Sequence, residues 1–380
     1  MAEVKKLRVG VIGCGGIAQM MHLPFLAKHD RLFEMASLCD LSPRVLAALG
    51  ERYGVPPEQR FQQYEDLLAQ DLDAVLVTSG GDHTPQVTAA LSAGKHVFVE
   101  KPLCYTLADT DAMAALASEK NLALMVGYMK RFDPGYRHAQ ERIAAMGELR
   151  YAQINTLHPE EDDFLSIHGL IPASDVPADA LEAARAHELG KLRQAVGHIP
   201  AYLQAEYSDV LLGSMVHDIN AMRGLLGEPE RVLFAEHWPA GEKPGGITAT
   251  IQYPGALRVV YTWIFLPGLR DYFQEIALMS ASTRVRIQFP SPYLRNFPTP
   301  VIVQHMQSGA AVEERVIVSY EEAFEQELLA FHDCVVTGAP PLTGAADARA
   351  DMRVLQQIVA ALNPPGLGGE AARSREEGER

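Results

Sequence analysis

The sequence predicts a doubly wound α/β domain of the Rossmann type, followed by an α+β domain built on an open, largely antiparallel sheet. Three observations carry that reading. Strand-like and helix-like segments alternate through residues 1–127. A glycine-rich turn, Gly13-Cys14-Gly15-Gly16-Ile17-Ala18, joins the first strand to the first helix. Beyond residue 231 the pattern changes to strand after strand with few helices between.

Taken in order, residues 7–12 form an apolar run of buried-strand type and lead into the glycine turn and a helix through residues 25–27. Residues 35–40 predict a second strand, and Pro43 then sits where the first turn of a helix tolerates it. Residues 74–78 are a third strand, followed by a helix opened by Pro85 and stopped by Gly94. Residues 96–100 are a fourth strand, 109–120 a helix and 123–127 a fifth strand. Right-handed crossovers between such strands give a parallel sheet. Helix 131–145 and strand 150–157 follow, then a polar, helix-leaning segment over 158–205 and a helix over 210–226. Strands are expected at 248–253, 257–264, 275–279, 285–289 and 301–307, and closing helices at 324–337 and 348–362. Two domains, 1–127 and 128–363, and a disordered tail over 364–380 are the expected organisation.

Composition narrows the partners. Among 380 residues, 33 basic against 48 acidic side chains give a net charge of −15, which disfavours nucleic acid and anionic membrane surfaces. No apolar run approaches the ~20 residues of a membrane helix, and the N-terminus has no signal-peptide pattern. The four cysteines, Cys14, Cys39, Cys104 and Cys334, have no metal or redox spacing and suit a reducing cytoplasm.

The glycine turn is a G-x-G-x-x-A fingerprint in its proper setting between strand and helix. Gly13 permits the tight turn, Gly15 lets a pyrophosphate approach the backbone, and Ala18 permits close helix–sheet packing. Gly16 and Ile17 open the helix whose free N–H groups face the phosphates. Asp40, ending the second strand, accepts from ribose hydroxyls and repels a 2′-phosphate, favouring NAD over NADP. Arg44 either counters that carboxylate or is a solvated helix residue.

Four further stretches make the chain resemble the glucose–fructose oxidoreductase / inositol dehydrogenase (Gfo/Idh/MocA) family over nearly its whole length. They are Asp82-His83-Thr84-Pro85, residues 93–102 ending in Glu100-Lys101-Pro102, residues 127–134, and the late helix 324–338. The resemblance implies an oxidoreductase acting on a hydroxyl of a sugar, cyclitol or glycoside, with the open sheet of the second domain joining copies into a dimer or tetramer. It places His83, Glu100 and Lys101 near the cofactor, with Lys101 beside nicotinamide and reacting oxygen. An ammonium there stabilises a developing alkoxide or polarises a ketone. The bland alternative is a surface lysine at a strand end.

His217 falls where the family carries the histidine of an aspartate–histidine pair, and it is the natural general base. The aspartate position is Gly213 in this chain, a departure. Either His217 works alone or another group serves, with Tyr207 and Asp209 just before the helix as candidates and Asp209 also an expected substrate contact. Asn220 shares the His217 face and is expected to hydrogen-bond a substrate hydroxyl, whereas Asp218, ~100° round the helix, points elsewhere. The structural alternative for His217 is a hydrogen-bonded packing histidine. Tyr128 and Arg131, just after the last Rossmann strand, are expected substrate contacts, as is His158. The long segment 158–205 carries Glu160, Glu161, Asp162, Asp163, His168, His187 and His198 without metal-site spacing, so a pocket lining or lid is expected and no metal.

Two rival functions remain open. One is a redox-neutral glycosidase, epimerase or lyase using transient oxidation by a retained NAD, made credible by Gly213 and the long segment. The other is a non-catalytic sensor of NAD or sugar.

Overall fold

The computed structural model describes residues 5–240 and 243–363. The expected tail over 364–380 lies outside the described residues. Six parallel strands, β1 (Leu7–Ile12), β2 (Phe33–Cys39), β3 (Arg60–Phe61), β4 (Ala74–Val77), β5 (His96–Glu100) and β6 (Leu124–Gly127), stand in the order 3-2-1-4-5-6. That is the doubly wound order, with a crevice where β1 and β4 lie side by side and their connections leave in opposite directions. Val75, Val77, Val97 and Val99 pack on one face while Ala74, Leu76 and Phe98 pack on the other. With both faces covered, these strands appear in sequence as unbroken apolar runs.

Eight strands make the second sheet: β7 (Leu149–His158), β8 (Arg231–Ala240), β9 (Lys243–Gln252), β10 (Arg258–Phe265), β11 (Phe273–Ser280), β12 (Thr283–Phe289), β13 (Val301–Gln307) and β14 (Ala310–Val316). The order is 14-13-12-11-7-10-9-8, antiparallel except where β10 runs parallel to β7. One face carries Ala152, Ile154, Val259, Tyr261 and Ile276 into a core continuous with one face of the first sheet. Lying against that face is the helix that matters most for the site: wide π-helical turns over Glu206–Met215 run straight into an α-helix over Val216–Leu226.

Sequence reading named no strand at β3, which has two residues, at β8, or at β14, whose mostly exposed side chains carry no burial pattern. The segment 158–205 is mainly helical, at Asp162–Ser166, Ala178–Val196 and Ala201–Ala205. In the long helix only Leu192 is fully buried. It docks instead by polar contacts, Lys191 to Asp109 at 2.7 Å and His187 to Asp82 at 2.9 Å. The last helix, Ala345–Leu362, returns to pack on Leu107–Glu119 and β8, tying the two sheets together.

Candidate active site

The crevice predicted by the strand order is a cavity of about 830 Å³, lined from both sheets. From the first come Gly15, Gly16 and Ile17 after β1, Thr78 to Gly80 after β4, and Glu100 and Lys101 at the end of β5. From the second come Trp263, Tyr272 and Gln274, and between them stand Gly213, Ser214 and His217.

The geometry of the glycine turn suits a phosphate. Gly13 has φ +87° and a Cβ there would run into the backbone of Ser79, so only glycine fits. At Gly15 a Cβ would meet nothing within 4 Å, which leaves open space beside the backbone. Asp40 accepts from the N–H of Cys14 at 2.8 Å and of Ser42 at 2.8 Å, anchoring its carboxylate at the end of β2. These groups fit a dinucleotide: a bare turn at a helix start, then a fixed acceptor one strand away. Arg44 does not pair with Asp40. Its backbone N–H meets Asp175 and its guanidinium meets Ser174. His83 stands behind the cavity, its ring nitrogens 2.7 Å from the carbonyls of Pro102 and Ser79, and so brackets the two loops that carry cavity residues.

Lys101 follows β5 and is half-buried at the cavity wall. Its ammonium donates to the carbonyl of Gly213 at 2.6 Å. Burial lowers its pKa, opposed by Glu100 and Glu161 and aided by Lys130. At Gly213, the position that departs from the family pattern, the partner of Lys101 is thus a backbone carbonyl. Gly213 lies in the wide π-helical turns over Glu206–Met215 that lead into the helix of His217. A Cβ on Gly213 would touch only the carbonyl of Ser208, at 3.6 Å. We therefore expect Gly213→Ala to raise stability by about 0.5–1 kcal/mol through lost chain entropy. Thermal unfolding of the variant checks this; a lowered midpoint would show that the backbone there needs glycine.

His217 opens onto the cavity, with Nδ1 buried and unpartnered. Burial, then the charges of Lys101 and Lys130, hold its pKa well below the ordinary histidine value, so the ring is neutral and able to take a proton. Asp218 does point elsewhere. It is fully buried and accepts from Lys130 at 2.8 Å, Thr156 at 2.9 Å, Tyr261 at 2.6 Å and Gln274. This satisfied carboxylate fixes Lys130 and Gln274 at the cavity wall. Sequence reading missed both, because they come from loops and strands far apart in the chain.

His158 and Asp209 also line the cavity. His158 pairs with Glu161 at 3.1 Å and lies edge-on to Tyr272. Glu161 also accepts from Tyr293 at 3.0 Å. Three other expected substrate contacts stand elsewhere. Asn220 donates to Asp347 at 2.6 Å and Asp351 at 2.7 Å, Arg131 lies 3.6 Å from Asp347, and Tyr128 is buried beside Asp351. The last helix brings those carboxylates against this helix face, a pairing between residues over 120 positions apart. Tyr207 is buried away from the cavity with its hydroxyl unpartnered. His168 meets the carbonyl of Tyr293 at 2.7 Å and His187 meets Asp82, so the histidines of the long segment are dispersed.

Behind Lys101 sits a buried acid pair. Glu100 receives His22 at 2.7 Å, and His22, Glu100 and Glu327 bring polar atoms within 4.8 Å of one another. Despite burial, His22 and Lys101 hold Glu100 low and ionised. Glu327, with both oxygens unpartnered, is pushed well above its ordinary value by burial and by Glu100, and so keeps its proton. Its folded pKa exceeds the unfolded one, so this group's contribution to native stability falls as pH rises above about 4.5. Glu327→Gln is expected to stabilise the protein at pH 8 relative to the parent, with the gain vanishing near pH 4. A pH-independent difference in unfolding midpoint would refute the protonated acid.

Residues 7–128 match the model of an oxidoreductase family with an NAD-binding Rossmann fold, GFO_IDH_MocA. An oxidoreductase of Salmonella typhimurium is 35% identical over 148 residues, covering 39% of this chain and 47% of that relative, so the match spans about half of that relative's length. Inositol 2-dehydrogenase 3 of Saccharopolyspora erythraea is 25% identical over 362 residues, 94% of this chain and 93% of that one. Among solved structures, a 3-ketoreductase from Actinomadura kijaniata in complex with NADP superposes with a TM-score of 0.72 at 20% identity, covering 94% of this chain and 98% of that one. At that identity the likeness establishes the two-sheet fold.

Proposed function

We propose, from this chain's membership of the Gfo/Idh/MocA oxidoreductase family, that it moves hydride between a nicotinamide cofactor and a hydroxyl-bearing carbon of a sugar or cyclitol. One observation carries the reading: the glycine turn, Lys101 and His217 line a single cavity. NAD bound at the turn would supply the hydride acceptor. Lys101 holds the reacting oxygen and stabilises negative charge as it develops there. His217, neutral and facing the same space, takes the hydroxyl proton. Lys130 and Gln274, fixed by Asp218, present further donors to a polyol.

The walls suit such a substrate. Trp263 and Tyr272 offer flat apolar surfaces for C–H faces, and Glu161 and Asp209 offer acceptors for hydroxyls. The inositol 2-dehydrogenase and the 3-ketoreductase carry names that fall in this class. Exposed Leu233 and Phe234 on edge strand β8 support a homo-oligomer. Among the described residues no helix is long and apolar enough to cross a membrane, and free, mostly buried cysteines support a cytoplasmic setting.

Releasing the nucleotide from denatured protein and identifying it, then screening polyols and glycosides for its reduction, tests the proposal. Absence of both nucleotide binding and turnover would overturn it. A second reading, redox-neutral chemistry on a retained cofactor, is favoured by Leu170 and Ile171 of the long segment, which lie over Gly16 and Gln19. Turnover of a glycoside without net change in nicotinamide absorbance would decide for it.

A further inference from the structure

The segment between β7 and the helix Ala178–Val196 crosses the nucleotide face of the first sheet and is pinned at two places. At the first, buried Gln19 clasps the peptide of Ile171, accepting its N–H at 2.8 Å and donating to its carbonyl at 3.1 Å. The same Gln19 amide donates to the carbonyl of Cys14 in the glycine turn at 2.9 Å. At the second, Asp175 reaches the end of β2. One of its carboxylate oxygens accepts from the hydroxyl of Ser42, and the other accepts from the N–H of Arg44 at 2.9 Å. Ser174 accepts from the Arg44 guanidinium at 3.2 Å.

These partners have a distinct chemistry. Ser42 also donates its backbone N–H to Asp40, so one residue lies between two carboxylates. A hydroxyl, a first-turn N–H and an arginine, immediately after the strand that ends in the ribose-side acceptor, are together a recognition set for a phosphate on the ribose 2′ position. Here an anion is already seated in that set, and it belongs to the chain itself. We propose that Asp175 is a second cofactor-specificity residue, occupying the groups that would otherwise hold the 2′-phosphate of NADP. This inference rests on the dinucleotide reading above. Asp40 accepts from the ribose hydroxyls of NAD and repels a phosphate there. Asp175 withdraws the Ser42 hydroxyl and the Arg44 N–H from that phosphate, beside Ser174 on the Arg44 guanidinium, and adds a second negative charge against it. The strap thus selects NAD with residues that lie more than 130 positions from the fingerprint.

Equilibrium binding of NAD⁺ and NADP⁺ to the full chain, by calorimetry, tests the role with Asp175→Ala and Asp175→Glu. Asp175→Ala is expected to bind NADP⁺ about tenfold more tightly than the parent while NAD⁺ affinity changes by less than about threefold. Asp175→Glu keeps the charge and should leave NADP⁺ affinity at the parent level. Parallel loss of both nucleotides in Asp175→Ala would make the residue a tether and overturn the proposal, as would unchanged NADP⁺ binding. A parent protein that binds neither nucleotide would instead bring down the dinucleotide reading, and this inference with it.

Discussion

Lys101→Met is expected to reduce hydride transfer by at least about 10³-fold while NAD affinity stays within about threefold of the parent. Removing one preorganised donor to a developing oxyanion costs roughly 10²–10³ in kcat, and Lys101 carries a full charge in an enclosed site. The methionine side chain follows a similar path and removes only the ammonium. Among the described residues the ammonium donates to the Gly213 carbonyl, which keeps cavity solvent as a partner. On the proposed reading the dinucleotide would be held chiefly by the turn after β1 and by Asp40, so binding should survive. Single-turnover measurement separates the two effects. A variant with kcat within tenfold of the parent would remove Lys101 from the chemistry, and one that loses NAD binding would place it in the cofactor cradle instead.

The parts of this site that sequence showed are those whose chemistry is local. The turn after β1, Asp40 and the Glu100-Lys101-Pro102 end of β5 each declare themselves within a few residues, because a strand end and its following turn fix geometry over that distance. His217 was visible as a histidine on a helix. Its cavity neighbours were not: Trp263, Tyr272 and Gln274 reach the site only through the second sheet's register, in which β7 is flanked by β10 and β11, and Lys130 only through its pairing with Asp218. The same limit explains Asn220, Arg131 and Tyr128. Each stands at a position from which it could face the crevice, but Asp347 and Asp351 of the last helix draw them into a buried polar cluster. Gly213 shows the deepest limit. Its missing side chain is plain in the sequence, whereas the carbonyl that meets Lys101 has no sequence signature at all.

His217→Asn is expected to lower kcat by about 10²–10⁴-fold, the usual contribution of a positioned general base. Asparagine approximates the ring's volume and can hydrogen-bond a hydroxyl, but cannot accept its proton at working pH, so substrate binding should change far less than kcat. The pH dependence distinguishes this from a packing role. Burial and the two lysines depress the His217 pKa, and the base must be neutral to act, so activity in the oxidation direction is lost only as pH falls through a value well below 6.5. Lys101 must stay protonated, and burial lowers its pKa below 10.5, so activity falls again as pH rises through that lowered value. The parent's kcat/KM should therefore form a broad plateau spanning neutrality, bounded by these two groups. In His217→Asn the acid limb should disappear while the alkaline limb remains. An acid limb that survives the substitution, or a parent profile that breaks at or above 6.5, would assign the proton transfer to another group, with Asp209 at the cavity wall the next to test.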